Sequence, residues 1–152
     1  MAKVILIFAS MSGNTEMMAK AVSDGISAMG EGLKIIDIID GPDAKELEDY
    51  DGILLGAYTW GDGELPADFL DFYDEMDSIH LTGKKAAVFG SCDSAYSQYG
   101  AAVDILTEKL RERGAEVYPQ GLKVELTPEK EEEEACRTFG KNFVTFLRNS
   151  ID

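Results

Sequence analysis

The chain is poor in the residues that build metal centres and disulfide frameworks. It has two cysteines, Cys92 and Cys136, and a single histidine, His80. Two cysteines this far apart form neither a disulfide framework nor a CxxC zinc motif. One histidine does not complete a structural zinc site. We therefore expect no resident metal, a surface or connecting role for His80, and a packing role for Cys92.

Positive charge and long apolar runs are also scarce. Lys and Arg number 14 against 29 Asp and Glu, a formal charge of −15. Nucleic acids and anionic lipids bind through positive charge, so we expect neither as a partner and a basic protein surface instead. No run of apolar residues reaches the length of a membrane span, and no secretory leader is apparent. A cytoplasmic location is the expectation.

No linker, repeat or change of composition divides the chain. At 152 residues it has the usual size of one domain, so we expect a single domain over residues 1–152, and a monomer. Apolar residues make up 45% and charged residues 28% of the sequence, which is typical of a globular protein.

Short aliphatic runs predict the strands of a parallel sheet. They lack the alternation of strands with one wet face, which indicates burial on both faces. These runs are Val4–Phe8, Leu33–Ile39, Gly52–Ala57 and Lys85–Gly90. A fifth strand near Glu116–Val124 is interrupted by Pro119 and Gly121, which favours an edge position.

Apolar residues three or four apart predict helices between the strands and after the last one. The helical sets are Met18, Val22, Ile26 and Met29; Phe69, Phe72, Tyr73 and Met76; Val103, Leu106 and Leu110; and Cys136, Phe139, Phe143 and Leu147. The acidic run 131–134 suits the first turn of the last helix, after a Thr127-Pro128 cap. Alternating strands and helices predict a three-layer α/β domain with right-handed crossovers.

The first strand is followed by six small or polar residues, Ser10-Met11-Ser12-Gly13-Asn14-Thr15. A strand-to-helix turn of this kind directs free N–H groups, hydroxyls and the positive end of a helix dipole to one point, as a phosphate site does. It has no Lys, unlike the GxxxxGK[ST] loop, so a monophosphate held by neutral donors fits best. A capped helix start that binds nothing is the alternative at this point.

Two further loops fall at the same edge of the predicted sheet. In residues 58–64, Trp60 is followed by Gly and acidic residues, and in residues 91–100, Tyr96 lies between small residues. Neither aromatic residue fits a core pattern. Two aromatic residues on either side of a phosphate turn indicate a flat aromatic nucleotide with a terminal monophosphate.

Three segments in order, SMSGNT, TWGDG and SCDSAYSQYGAAVD, resemble the short-chain flavodoxins over essentially the whole chain. The resemblance implies a doubly wound, five-stranded parallel sheet of order 2-1-3-4-5 with FMN at its switch point. It implies that Ser10 to Thr15 hold the phosphate, and that Trp60 and Tyr96 cover the inner and outer faces of the flavin. Thr59 and Asp93 would contact the ribityl chain, the phosphate or the pyrimidine edge.

Gly61, Asp62, Ser91 and Cys92 complete the implied cofactor site. Gly61 permits a peptide flip that presents a carbonyl to the protonated N5 of the reduced flavin. Where the family often has Cys-Gly-Asp, this chain has Ser91-Cys92-Asp93. The added side chain restricts the backbone at position 92.

The function implied is a low-potential one-electron carrier that cycles between semiquinone and hydroquinone. It would take electrons from a flavodoxin reductase to an acceptor redox enzyme, each through a basic surface. The acids near the ring, Asp62, Glu64, Asp68 and Asp93, would oppose the second electron by about 0.4–1.7 kcal/mol each at roughly 10 Å. The loops show no nucleophile, general base or metal cluster, so we expect no enzyme. An FMN-dependent NAD(P)H:quinone reductase or nitroreductase, and an activator of a radical enzyme, are the alternatives.

Overall fold

A parallel sheet lies at the centre of the computed structural model, which describes residues 3–10, 13–59, 64–92, 100–119, 121–125 and 130–149, without the side chains of Cys92 and Glu125. The strands are β1 (Val4–Phe8), β2 (Leu33–Asp37), β3 (Gly52–Gly56), β4 (Lys85–Cys92), β5 (Glu116–Val117) and β6 (Leu122–Glu125). The helices are α1 (Asn14–Ala28), α2 (Ala67–Glu75), α3 (Ala101–Glu112) and α4 (Lys130–Asn149). Each α-helix follows a strand, as predicted, but the alternation fails between β2 and β3, where the chain forms only 3₁₀ segments.

The strand order is β2-β1-β3-β4-β5, with every pairing parallel. This is the predicted order of a doubly wound sheet. The fifth strand is interrupted, as predicted: β5 pairs with Lys85 and Ala86 at the start of β4, and β6 pairs with the last four residues of β4. The two pieces occupy one edge of the sheet.

Successive side chains of each central strand enter two different cores. In β1, Ile5 and Ile7 pack on the side of α2 and α3, whereas Val4, Leu6 and Phe8 pack on the side of α1 and α4. The helices cover both faces of the sheet, so aliphatic residues in consecutive positions are all buried. The apolar residues of the predicted helical sets lie in these cores or pack against them.

The prediction that β2 is buried on both faces is wrong. Ile35 is 45% exposed, and Ile39 in the following turn is 75% exposed. The strand ends at Asp37, whose carboxylate accepts the N–H of Ile39 at 3.1 Å and caps a short 3₁₀ turn, Ile38–Asp40. A second 3₁₀ segment, Ala44–Asp49, follows before β3. Ile35 shares a face with its register partner Leu6, on the α1 side of the sheet, but β2 is the edge strand and α1 leaves part of its apolar surface exposed.

The third polar segment begins later than the sequence predicts. Ser91 and Cys92, assigned to a loop, are the last two residues of β4 and pair with Val124 and Glu125 of β6. Small polar residues at a strand end resemble a turn in the sequence, but here a neighbouring strand satisfies their backbone groups. Within the described part of the chain, no helix has both the length and the apolar character needed to cross a membrane.

Candidate functional site

The carboxyl ends of β1, β3 and β4 lie side by side at one edge of the sheet. The N–H of Ala9 donates to Gly56 O at 2.9 Å, and the N–H of Ala57 donates to Phe89 O at 3.1 Å. These bonds continue the ladder one residue beyond β1 and β3. The chain segments that leave the three strands therefore start from a rigid common base.

The turn after β1 is organised by the hydroxyl of Ser10. Its Oγ accepts the N–H of Gly13 at 3.1 Å and the N–H of Glu16 at 3.3 Å. Gly13 has φ +90°, a left-handed conformation that side chains other than glycine rarely adopt, and α1 begins at the next residue. Ser10 thus holds the first turn of α1 in place from outside the helix.

The start of α1 provides donors without formal charge. Helix geometry leaves the N–H groups of the first turn without acceptors inside the helix, and the helix dipole adds partial positive charge there. Residues 4–19 contain no Lys or Arg. Apart from its chain neighbours, no described heavy atom lies within 4 Å of a Cβ built on Gly13, so the surface beside it is open. These donors and this space fit the phosphate of a mononucleotide.

Thr15 connects this turn to the end of β4. Its Oγ1 lies 2.7 Å from the Oγ of Ser91, a hydrogen bond in which either hydroxyl can be the donor. Thr15 is 1% exposed and Ser91 is 6% exposed. Two hydroxyls have two protons, and their mutual bond uses one of them, so the pair retains one proton for a further acceptor.

Thr59 connects the segment after β3 to the start of α3. Its Oγ1 accepts the N–H of Ala102 at 3.2 Å, across 43 residues of sequence. Ala102 lies in the first turn of α3, and Gly100 before it has φ +68°. Sequence reasoning did not find this contact, because a glycine before a helix does not show where its capping acceptor comes from.

Tyr58 was not assigned to the site by sequence reasoning. It is half-buried at the end of β3 and packs against the α2/α3 core. Partial burial, followed by the negative charge of Asp68 at the start of α2, raises the pKa of its hydroxyl above the ordinary value. The phenol is therefore neutral at physiological pH and adds no charge at this edge.

The described part of the predicted site comprises Ser10, Gly13, Asn14, Thr15, Thr59, Ser91 and the backbone of Cys92. The structure brings these residues to one sheet edge, and Thr15 and Ser91 into direct contact. The other members lie outside the described residues and stay predictions: Met11, Ser12, Trp60, Gly61, Asp62, Asp93 and Tyr96. His80 is an exposed residue of the connection before β4. Its backbone N–H donates to the Glu48 carboxylate at 2.9 Å.

Comparison with known proteins gives the family. The family model described as "Flavodoxin" matches residues 6–140. "Probable flavodoxin 2" of Bacillus subtilis is 44% identical over 143 residues, which cover 94% of this chain and 95% of that protein.

Solved structures agree with that assignment. Oxidised flavodoxin 1 from Bacillus cereus has 66% identity and a TM-score of 0.93, over 95% of this chain and 98% of that one. Oxidised flavodoxin 2 from the same organism has 47% identity and a TM-score of 0.91, over 95% and 99%. The chain belongs to the flavodoxin family, whose members bind FMN and carry electrons.

Proposed function

We propose that this chain is a low-potential one-electron carrier that holds FMN at the edge formed by the ends of β1, β3 and β4. The observation that carries the proposal is the start of α1, where neutral N–H and O–H donors meet beside those strand ends. When bound, FMN supplies a ring that takes up and releases single electrons. The protein supplies binding, orientation and the surrounding charge.

The turn from Ser10 to Thr15 binds the phosphate in this proposal. Asn14 and Thr15 contribute N–H groups of the first helical turn, and Ser10 fixes that turn through Gly13 and Glu16. Met11 and Ser12 belong to the same turn by sequence. Each donor to a charged phosphate contributes roughly 1.5–3 kcal/mol.

The second and third loops hold the ring in this proposal. Trp60 covers its inner face and Tyr96 its outer face, and each ring contact contributes roughly 0.5–1.5 kcal/mol beyond the area that it buries. Thr59 and Asp93 lie at the base of these two loops in the sequence. Gly61 would permit the peptide of the Trp60-Gly61-Asp62 turn to present a carbonyl that accepts a hydrogen bond from the flavin N5–H after reduction.

Negative charge keeps the potential of the second electron low in this proposal. Glu64 and Asp68 are exposed; Glu64 directly follows the segment 60–63 and Asp68 lies in the first turn of α2, and the whole chain carries −15. The double variant Glu64→Gln/Asp68→Asn should raise the second midpoint potential, more at low salt than at high salt. Glu108→Gln/Glu112→Gln, on the exposed surface of α3, is the charge-matched control. An equal shift in both variants would contradict a local effect.

The proposed partners are basic surfaces of a flavodoxin reductase and of an acceptor redox enzyme. Opposite charges speed encounter and make it sensitive to salt. The rate of reduction by a reductase should therefore fall steeply as ionic strength rises. We propose further that the chain works in the cytoplasm as a monomer of one domain, residues 1–152.

Optical spectroscopy tests the function directly. The purified protein should be yellow, or become yellow with added FMN, and partial reduction should produce a long-lived blue colour. Mixing with NADPH alone should leave the flavin oxidised, because a carrier requires a reductase. Rapid bleaching by NADPH would favour the quinone reductase or nitroreductase, and a colourless protein that takes up no FMN would overturn the proposal.

A further inference from the structure

Threonine hydroxyls of the other two site segments make hydrogen bonds to the described residues on either side of the segment 93–99, which connects β4 and α3 in the sequence. On its β4 side, Thr15 contacts Ser91 at 2.7 Å. On its α3 side, Thr59 accepts the N–H of Ala102 at 3.2 Å. The end of β4 and the start of α3, between which Tyr96 lies in the sequence, are thus bonded to the segments that follow β1 and β3.

The start of α3 depends on Thr59 because it has no side-chain cap of its own. The residue before the helix is Gly100, which offers no side-chain acceptor. Thr59 Oγ1 takes one N–H of the first turn and so acts as a cap from a distant part of the chain. Losing a capping acceptor shifts the equilibrium at a helix end by roughly two- to thirtyfold.

The position of Gly100 favours glycine over any residue with a side chain. Its φ of +68° is left-handed, and a Cβ there would lie 2.4 Å from Cδ of Lys123. The Lys123 ammonium in turn pairs with Asp104 of α3 at 3.1 Å. The first turn of α3 is therefore fixed between the Thr59 hydroxyl and the Lys123 side chain.

We propose that Thr59 is a positioning residue for the third loop: its hydroxyl fixes the start of α3, and through it the segment that contacts the flavin ring. The inference rests on the proposed function, since it assumes that this segment contacts the ring. It differs from a direct role of Thr59 on the phosphate. Direct contact with the phosphate would make Thr59 matter for FMN and not for riboflavin, which lacks the phosphate, and direct contact with the ribityl chain or the pyrimidine edge would not involve the Ala102 N–H.

The first test needs no cofactor. Amide hydrogen exchange of FMN-free protein should show the Ala102 N–H exchanging roughly two- to thirtyfold faster in Thr59→Val than in wild type. Thr59→Ser keeps the acceptor and should restore protection. Thr107→Val is the matched control, since its hydroxyl donates to Val103 O at 2.7 Å within α3, away from the loops. Unchanged exchange of Ala102 in Thr59→Val would overturn the proposal.

The second test compares two flavins. Fluorescence titration of Thr59→Val with FMN and with riboflavin should show both dissociation constants rising by the same factor, and Thr59→Ser should return both towards wild type. A rise for FMN alone would overturn the proposal in favour of direct phosphate contact. Equal binding by Thr59→Val and wild type would overturn only this inference. A wild-type protein that binds neither flavin would overturn the proposed function as well.

Discussion

The hydroxyl pair of Thr15 and Ser91 allows a prediction whose size follows from the structure. Both residues are almost fully buried and their oxygens are 2.7 Å apart. Thr15→Val keeps the shape of the side chain and leaves the Ser91 hydroxyl buried without this partner, and Ser91→Ala does the reverse. Each single change should therefore destabilise the FMN-free protein by about 1–3 kcal/mol.

The double variant separates the bond from other effects of each substitution. Thr15→Val with Ser91→Ala removes both polar groups together, so no hydroxyl is left unpaired. Its cost should be smaller than the sum of the single costs by about 0.5–1.5 kcal/mol, the net contribution of one hydrogen bond. Urea unfolding followed by circular dichroism measures all four proteins, with m-values that should agree.

A surface threonine provides the control for this cycle. Thr145 of α4 is exposed and donates to Lys141 O at 3.4 Å, so Thr145→Val should change stability by less than about 0.5 kcal/mol. Single costs of Thr15→Val and Ser91→Ala that simply add, within about 0.3 kcal/mol, would refute the coupling. FMN titration then shows whether Thr15→Val weakens binding more than Ser91→Ala, as contact of the Thr15 hydroxyl with the phosphate requires.

Three further predictions concern packing, charge and thiol chemistry. Gly140→Ala places a Cβ 2.2 Å from the Val22 carbonyl oxygen, which forces α1 and α4 apart and should lower stability by about 1–3 kcal/mol in urea unfolding. Hydrogen bonding to Lys109 lowers the pKa of Asp77 below its ordinary 3.8. Above pH 3.8, the unfolding free energy of wild type should therefore be larger than that of Asp77→Asn. The difference should disappear as the pH falls through 3.8 and below the lowered pKa. Burial, followed by the charge of Glu133, raises the pKa of Cys136 to about 12, so at pH 8 this thiol should react with a disulfide reagent only on unfolding.

Each of these has a matched control. Gly32→Ala adds a Cβ that meets nothing within 4 Å, so it should not destabilise, and equal losses at both glycines would contradict the packing explanation. Asp74→Asn, on the exposed surface of α2, should lack the acid-dependent difference. The thiol experiment uses a Cys92→Ser protein, in which fast labelling under native conditions would contradict burial of Cys136.

Sequence patterns were most informative where burial alone decides the structure. Met18, Val22 and Ile26 repeat at helical spacing and are all buried in α1. The interruption at Pro119 and Gly121 separates β5 from β6 because proline cannot donate to the ladder. Periodicity and residue type are local properties, so they predict these elements without knowledge of the rest of the fold.

The sequence was least informative where residues distant in the chain determine the environment of a side chain. The aliphatic character of Ile35 resembles that of Ile5, yet Ile35 is 45% exposed because its strand lies at an edge. Gly25 and Gly140 look unfavourable in a helix, and only the contact of α1 with α4 explains them: a Cβ on either would lie about 2 Å from a backbone oxygen of the other helix. The hydrogen bonds of Thr15 and Thr59 likewise join residues that are far apart in the sequence.

The hydrogen bonds that connect the site segments are made by hydroxyl groups, so they add no charge beside the proposed phosphate site. Ser10, Thr15 and Thr59 position backbone and side chains without adding charge. Lysine in the same turn would hold a phosphate through its charge and would also stabilise added negative charge on the flavin. Neutral donors separate these two effects, because they bind the phosphate and leave its charge uncompensated. In the proposed carrier, this neutral turn and the acidic composition therefore act in the same direction on the second electron.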